Sequence, residues 1–297
     1  MFESALIFLY FEIKKERDNM FKILKKKILS KDVFQFEIEA LQIAKKACAG
    51  QFVIVNIDEF GERIPLTIAD FDREKGTVTI IFQAIGASTK LLSEKNEGDY
   101  IKDFVGPLGQ KSEIYKTDDT VICIGGGIGI APIYPIVRSM KEAGNKVISI
   151  IGARNSGLLI LEDELKKISD EVIVATDDGS KGIKGFVTDG LKSIIDRGEK
   201  IAQVTAIGPV IMMKTVAELT KKYDIKTIVS LNPIMIDGTG MCGGCRVQVG
   251  DETKFACIDG PEFDGHLVDF PSLMLRQRMY KKEESEAKDH ICNLAKI

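Results

Sequence analysis

A chain of 297 residues with 44% hydrophobic content is long enough for about two domains, each with a packed core. Its net charge of −3, with lysine and arginine scattered rather than striped, offers no basic field for nucleic acid. Six cysteines, half of them within sixteen residues, are grouped like metal ligands and not like a disulfide framework, which points to a reducing cytoplasm.

The N-terminal run from Met1 to Phe11 is apolar but too short to span a bilayer. It also lacks a basic leading region and a small-residue cleavage site, so neither a membrane span nor a signal peptide is expected. Residues 1–19 read as an extension, with the first domain at 20–115. There, Val33–Ile38 alternates apolar and polar with period two, and Phe52–Ile57 and Thr77–Phe82 are β-branched and aromatic runs. Turn residues separate them, a pattern that predicts a small β barrel. Arg63-Ile-Pro65-Leu66-Thr67 begins a further β segment. An arginine there suits a pyrophosphate because its fork pairs bidentately with phosphate oxygens. Thr67 suits a flavin ring edge. Gly86-Ala-Ser88-Thr89 offers hydroxyls for a second phosphate, and Gly106-Pro-Leu-Gly109 reads as a tight turn.

Over residues 116–231 the rhythm changes to strand-then-helix, which predicts a parallel sheet covered on both faces. Strands are expected at Val121–Ile124, Lys146–Ile151, Val172–Ala175, Val204–Ile207 and Thr227–Leu231. A helix is expected through Ile133, Ile136, Val137 and Met140, ending at Gly144, and another over Leu161–Ile168. Between the first strand and helix lies Gly125-Gly126-Gly127-Ile-Gly129-Ile130-Ala-Pro132. Glycines let backbone N–H groups approach a pyrophosphate, and the helix N-terminus favours its charge. Ala175-Thr-Asp177-Asp178-Gly follows another strand; either aspartate suits a ribose hydroxyl, and a plain Asp-Gly turn is the alternative. Gly208-Pro209 ends a further strand and leaves room for a nicotinamide ring. Arg154 would favour a 2′-phosphate and Asp178 a free 2′-hydroxyl, so NAD(H) and NADP(H) both stay open.

Residues 232–265 hold Asp237, Cys242, Cys245 and Cys257, spaced D-x4-C-x2-C-x11-C. With cysteine in place of the aspartate this is the run that wraps a plant-type [2Fe–2S] cluster. Asp237 is either the first ligand or a turn residue before Gly238. A Cys3His zinc site through His266 is the rival metal reading. Residues 266–297 read as a C-terminal helix and tail, with a solvated charged face over Lys281–Glu286.

In this order the motifs R-x-P-L-T, G-x-S-T, GGGIGIAP, TDDGS, the GP turn and the cysteine run resemble the ferredoxin-reductase-like flavoprotein family, over roughly Met20 to Tyr280. Within it the chain resembles the branch of dihydroorotate dehydrogenase electron-transfer subunits. Those use four cysteines; an aspartate in first place is similar to the small subunits of electron-bifurcating NADH-dependent ferredoxin:NADP+ oxidoreductases and of sulfide dehydrogenases. The resemblance implies FAD on Arg63, Pro65, Leu66 and Thr67, with Gln83, Ala84 and Ile85 near its adenosine and Ser88 and Thr89 on phosphate. It implies NAD(H) on Gly125–Gly129, and a [2Fe–2S] cluster on Asp237, Cys242, Cys245 and Cys257. It further implies a cytoplasmic heterodimer in which a larger flavin and iron–sulfur subunit takes the electrons and reaches ferredoxin. Many relatives carry a cysteine near the nicotinamide, just before the GP turn, where Ala206 is taken to stand here. From a different class, a non-catalytic zinc-containing nucleotide-binding protein is the alternative.

Overall fold

The computed structural model describes residues 20–59 and 61–286. The expected N-terminal extension lies outside them, as do His290 and Cys292.

The first sheet has seven antiparallel strands: β1 (Phe21–Ser30), β2 (Val33–Glu39), β3 (Phe52–Asn56), β4 (Arg63–Asp72), β5 (Thr77–Gln83), β6 (Tyr100–Ile101) and β7 (Asp103–Leu108), in the order β6-β1-β2-β5-β4-β3-β7. Two short helices are inserted, α1 (Leu41–Lys46) and α2 (Ala87–Glu94). Ile101 from one end of the sheet and Phe104 from the other share one core with Phe36, Val53 and Ile80. The sheet therefore curls on itself into a nearly closed barrel, the architecture that the alternating runs predicted. Of the expected turn, Gly106–Leu108 is instead the end of β7, and Gly109, with φ +76, is the bend that follows it. This strand pairs only with β3, through a register shift, and an edge strand tolerates Pro107 where a central one would lose a ladder bond.

The second sheet runs β11-β10-β9-β8-β12-β13-β16: β8 (Thr120–Gly126), β9 (Val147–Ala153), β10 (Glu171–Thr176), β11 (Ile183–Lys184), β12 (Ile201–Ile207), β13 (Thr227–Ser230) and β16 (Glu262–Asp264). All its pairs are parallel except β13 with β16. Consecutive residues on a strand face opposite ways, and the two faces have separate covers. Val121, Cys123 and Ile151 pack under α3 (Ile130–Glu142) and α4 (Glu162–Ile168). Ile122, Ile124, Ile148 and Ile150 pack under α5 (Val187–Asp196) and α6 (Val210–Lys221). Cys123 is fully buried and its thiol is pushed up to about 12 by burial, so it is core.

The cysteine segment adds a hairpin, β14 (Arg246–Val249) and β15 (Glu252–Phe255), and α7 (Phe270–Arg276). Residues 281–286 are helical and exposed. Cys245, Val247 and Cys257 join the same core as Phe52 and Ile54 of the barrel and Val204 of the parallel sheet. Arg138 of α3 reaches Asp70 of β4 and lies 5.2 Å from the Phe71 ring, a second tie between barrel and sheet. No helix of the described residues is long and apolar enough to cross a membrane.

Candidate functional site

The parallel sheet reverses its strand order at β8: the chain goes to β9 on one side and later to β12 on the other. Ligands of open α/β sheets bind at such a switch point, beyond the carboxyl ends of the strands. Here the two ends carry Gly125–Gly129 and Gly208-Pro209, and their backbones nearly touch. A Cβ on Gly129 would overlap the Ile207 carbonyl, and one on Gly208 would sit 3.0 Å from the Gly126 carbonyl. A 3-10 turn over Gly127–Gly129 leads into α3, so the N-terminus of that helix opens at the crevice. Gly127 has φ +56, and its absent side chain would meet nothing within 4 Å. That is a backbone cradle open to a ligand, which fits a pyrophosphate.

The crevice is one end of a cleft of about 770 Å³ between barrel and sheet. That volume suits a cofactor-sized ligand. The barrel contributes Pro65, Leu66, Thr67, Gln83, Ile85 and Thr89 to its wall; the sheet contributes Gly126, Gly127, Gly129, Pro132, Asp177, Gly208 and Pro209. Seven expected residues are not part of this wall: Arg63, Ala84, Gly86, Ser88, Gly125, Ile130 and Asp178. Gly125 packs against Ile130, whose Cα would be 2.7 Å from a Cβ, and Ile130 is itself fully buried. Ser88, expected on phosphate, donates its hydroxyl to the Glu62 carboxylate. The Ser180 side chain and then its N–H, 2.9 Å away, hold the Asp178 carboxyl below the usual range inside its own turn. Of the two residues weighed for the 2′ position, Arg154 is in the wall and Asp178 is not.

Ala206 needs correction as well. The residue directly before Gly208 is Ile207, and it lines the cleft. Ala206 faces the core opposite Ile124, fully buried, because neighbours on a strand point opposite ways. Phe52, Phe82, Phe186, Met212 and Ser230–Pro233 also line the cleft and were not expected. Phe52 and Phe82 fall in the aromatic β runs of the sequence, whereas Phe186, 65% exposed at the cap of α5, shows its place only in the structure.

From Ser230–Pro233 the chain runs directly into the cysteine segment. Cys245 precedes β14 and Cys257 follows β15, so the hairpin brings the two together; Cys257 N–H lies 3.4 Å from the Cys245 sulfur. Both are buried, and burial together with Cys245 pushes the Cys257 thiol up to about 12. A metal cation is what would draw the proton off such a thiol. Cys242 is exposed, and its thiol is held down by the N–H groups of Gly244, 3.4 Å away, and of Asp237. Asp237 therefore lies beside Cys242. Its Oδ2 accepts from Thr239 N–H at 2.8 Å, from the Thr239 hydroxyl and from Met241 N–H at 3.4 Å, which lowers its pKa; the Arg63 charge adds to this. All three bonds fall on Oδ2, so Oδ1 is left for a metal. Three thiols and a carboxylate with N–H groups aimed at sulfur fit an iron–sulfur cluster. Among the described residues no three such side chains are drawn in around a single-ion site. The rival zinc ligand His266 is turned to α6, its Nε2 3.0 Å from the Thr220 hydroxyl.

Comparison with known proteins covers both halves of this site. Residues 123–218 match the oxidoreductase NAD-binding domain. Residues 232–269 match the iron–sulfur cluster binding domain of dihydroorotate dehydrogenase B. A Clostridium beijerinckii protein from the adh 3′ region is 54% identical over 90% of this chain and 93% of its own. A Thermotoga maritima homolog of the electron transfer subunit of dihydroorotate dehydrogenase B (NAD(+)) is 48% identical over 89% and 92%. A solved structure of the NADH-dependent reduced ferredoxin-NADP oxidoreductase, described for flavin-based electron bifurcation, superposes with TM-score 0.87 at 45% identity, over 91% of this chain and 97% of that one.

Proposed function

The chain belongs to the family of dihydroorotate dehydrogenase B electron-transfer subunits and their homologues, and from that premise we propose that it is the small subunit of a bifurcating NADH-dependent ferredoxin:NADP+ oxidoreductase. It is an oxidoreductase subunit that uses FAD, NAD(H) and a [2Fe–2S] cluster. When bound, nicotinamide and flavin supply hydride exchange and the cluster supplies one-electron exchange.

The residues of the chain orient and shield. Pro65, Leu66 and Thr67 present the β4 backbone and a hydroxyl to a ring held in the barrel half of the cleft, and Gln83, Ile85 and Thr89 border its outer end. Gly127 and the N-terminus of α3 take the negative charge of a dinucleotide. Gly208-Pro209 and Ile207 line the cleft at the end of β12 and leave room for a nicotinamide to stack. Cys242, Cys245, Cys257 and Asp237 would hold the cluster.

The observation that carries the reading is the seat of the cluster loop on the barrel. Phe52 of β3 lines the cleft, and Ile54, two residues along the same strand, packs against Gly238; a Cβ there would be 2.7 Å from the Ile54 side chain. Two extended residues span roughly 7 Å. The cleft and the cluster loop thus share one strand, as a chain that splits a hydride into single electrons requires. On the outer side Ile236, Met241 and Ile258 are exposed, with Met241 at 88%. Apolar side chains around an exposed Cys242 suit the docking of a larger subunit that bears its own flavin and iron–sulfur centres.

The aspartate supports the bifurcating branch over the pyrimidine branch. Asp237→Cys is expected to keep the cluster and move its potential, because a carboxylate shares less electron density with iron than a thiolate. An unchanged potential would make Asp237 a turn residue only. The subunit that co-purifies with the chain decides the electron acceptor: a ferredoxin- and NADP-reactive partner supports the proposal, and a sulfide- or polysulfide-reactive one replaces it. Preparations without flavin and iron would sink both.

A further inference from the structure

We infer that Arg63 is a positioning residue for the Asp237 end of the cluster loop, not a pyrophosphate ligand, and that its cation sets the potential of the cluster held there. The inference rests on the cluster reading above and goes beyond it.

Arg63 stands at the head of β4, yet it is absent from the cleft wall that Pro65, Leu66 and Thr67 form two to four residues later. Its guanidinium turns the other way, and Nη2 donates to the Asp237 carbonyl at 3.2 Å. Its Nε is buried without a hydrogen-bond partner. The residue paired with it across the ladder, Asn56, has its Oδ1 buried and unpartnered too. A half-buried cation whose guanidinium is not fully hydrogen-bonded acts on its surroundings with less screening than one in open water.

Those surroundings are anionic by construction. Asp237 and three thiolates would give the cluster a negative charge, and reduction adds one more. A fixed cation beside the loop favours the more negative, reduced form and so raises the potential. The cation is also held in place. Gly238 is seated on Ile54 of the neighbouring strand, so the loop cannot slide away from Arg63 without unpacking the barrel.

Arg63→Gln and Arg63→Lys in the full chain, purified with its partner and with flavin and cluster loaded, test this. The readouts are iron and flavin per chain, the electron paramagnetic resonance spectrum of the reduced cluster, and its potential by redox titration. The expected result for Arg63→Gln is a more negative potential and an altered spectrum at unchanged flavin content, with Arg63→Lys returning the potential toward wild type. Loss of flavin with an unchanged cluster potential would restore the pyrophosphate role and overturn the inference. If Arg63→Gln loses the cluster, Arg63→Lys decides: a retained cluster of wild-type potential supports the charge, and a lost one leaves a purely structural contact. A wild-type protein without iron overturns the function proposed above, and this inference falls with it.

Discussion

The glycines of the nucleotide loop and those of the cluster loop serve opposite needs. At Gly125, Gly126 and Gly129 φ is not left-handed, but a side chain would collide: Gly125 with Ile130 of α3, Gly129 with the Ile207 carbonyl of β12, and Gly126 with the Met212 side chain of α6. At Gly238, Gly240 and Gly243 φ lies at +81, +89 and +66, so these residues are glycine chiefly because the chain must turn in a way that L residues resist. One loop is glycine-rich to let elements touch. The other is glycine-rich to bend around a ligand set. Composition alone does not separate the two, and the difference decides what a methyl group does at each place.

Gly129→Ala tests the first kind and is the most damaging change expected. Its methyl would overlap the Ile207 carbonyl, which is backbone and cannot rotate away. The cost is that of overpacking at a rigid joint, about 3 kcal/mol, read as a lower midpoint in urea and a matching loss of NAD(H) binding. Gly126→Ala is the control within the same loop. Its methyl meets the thioether end of Met212, a flexible tail that can swing aside, and the change should cost under about 1.5 kcal/mol. Equal losses at both positions would mean that the convergence of β8 and β12 is not what fixes these glycines.

The second kind is tested by Gly238→Ala against Gly243→Ala. Both force a left-handed residue, about 1–2 kcal/mol. Only Gly238 also presses on Ile54, whereas the nearest atom to a Cβ at Gly243 is 3.6 Å away. Gly238→Ala should therefore lose about 2 kcal/mol and part of its iron, and Gly243→Ala about 1 kcal/mol with iron retained. Iron lost equally from both would place the constraint in the loop itself and not in its seat on the barrel.

Architecture was legible in the sequence because burial writes itself as period. Val33–Ile38 and Val121–Ile124 state their strands, and Ile133, Ile136, Val137 and Met140 state the inner face of α3. Side-chain direction at the ends of strands was not legible. Arg63 was expected on a pyrophosphate because its fork suits phosphate oxygens; at the head of β4 its guanidinium finds the Asp237 carbonyl instead. Ser88 reads as a phosphate hydroxyl until Glu62, twenty-six residues away, takes it. Ile207 and Ala206 exchanged roles because a one-residue shift on a strand reverses the face. Arg63 and Ser88 each depend on a partner distant in the chain, which no local pattern records, whereas the place of Ile207 directly before Gly208 was legible and was misassigned.

Gly127 combines the two kinds and gives the finest test of the comparison. Like the cluster-loop glycines it is left-handed, at φ +56; unlike Gly125, Gly126 and Gly129, it borders open space. Gly127→Ala should therefore cost only about 1 kcal/mol of stability, the price of the backbone conformation. The methyl would stand in the cleft, where a pyrophosphate has to approach the backbone. NAD(H) affinity is expected to fall roughly tenfold, about 1.4 kcal/mol, while the cluster spectrum and flavin content stay as in the wild type. Titration of NADH into the flavin-loaded variant measures this directly. An affinity that does not change would mean the dinucleotide does not lie over Gly127, and the crevice between β8 and β12 would have to be entered from its Gly208 side.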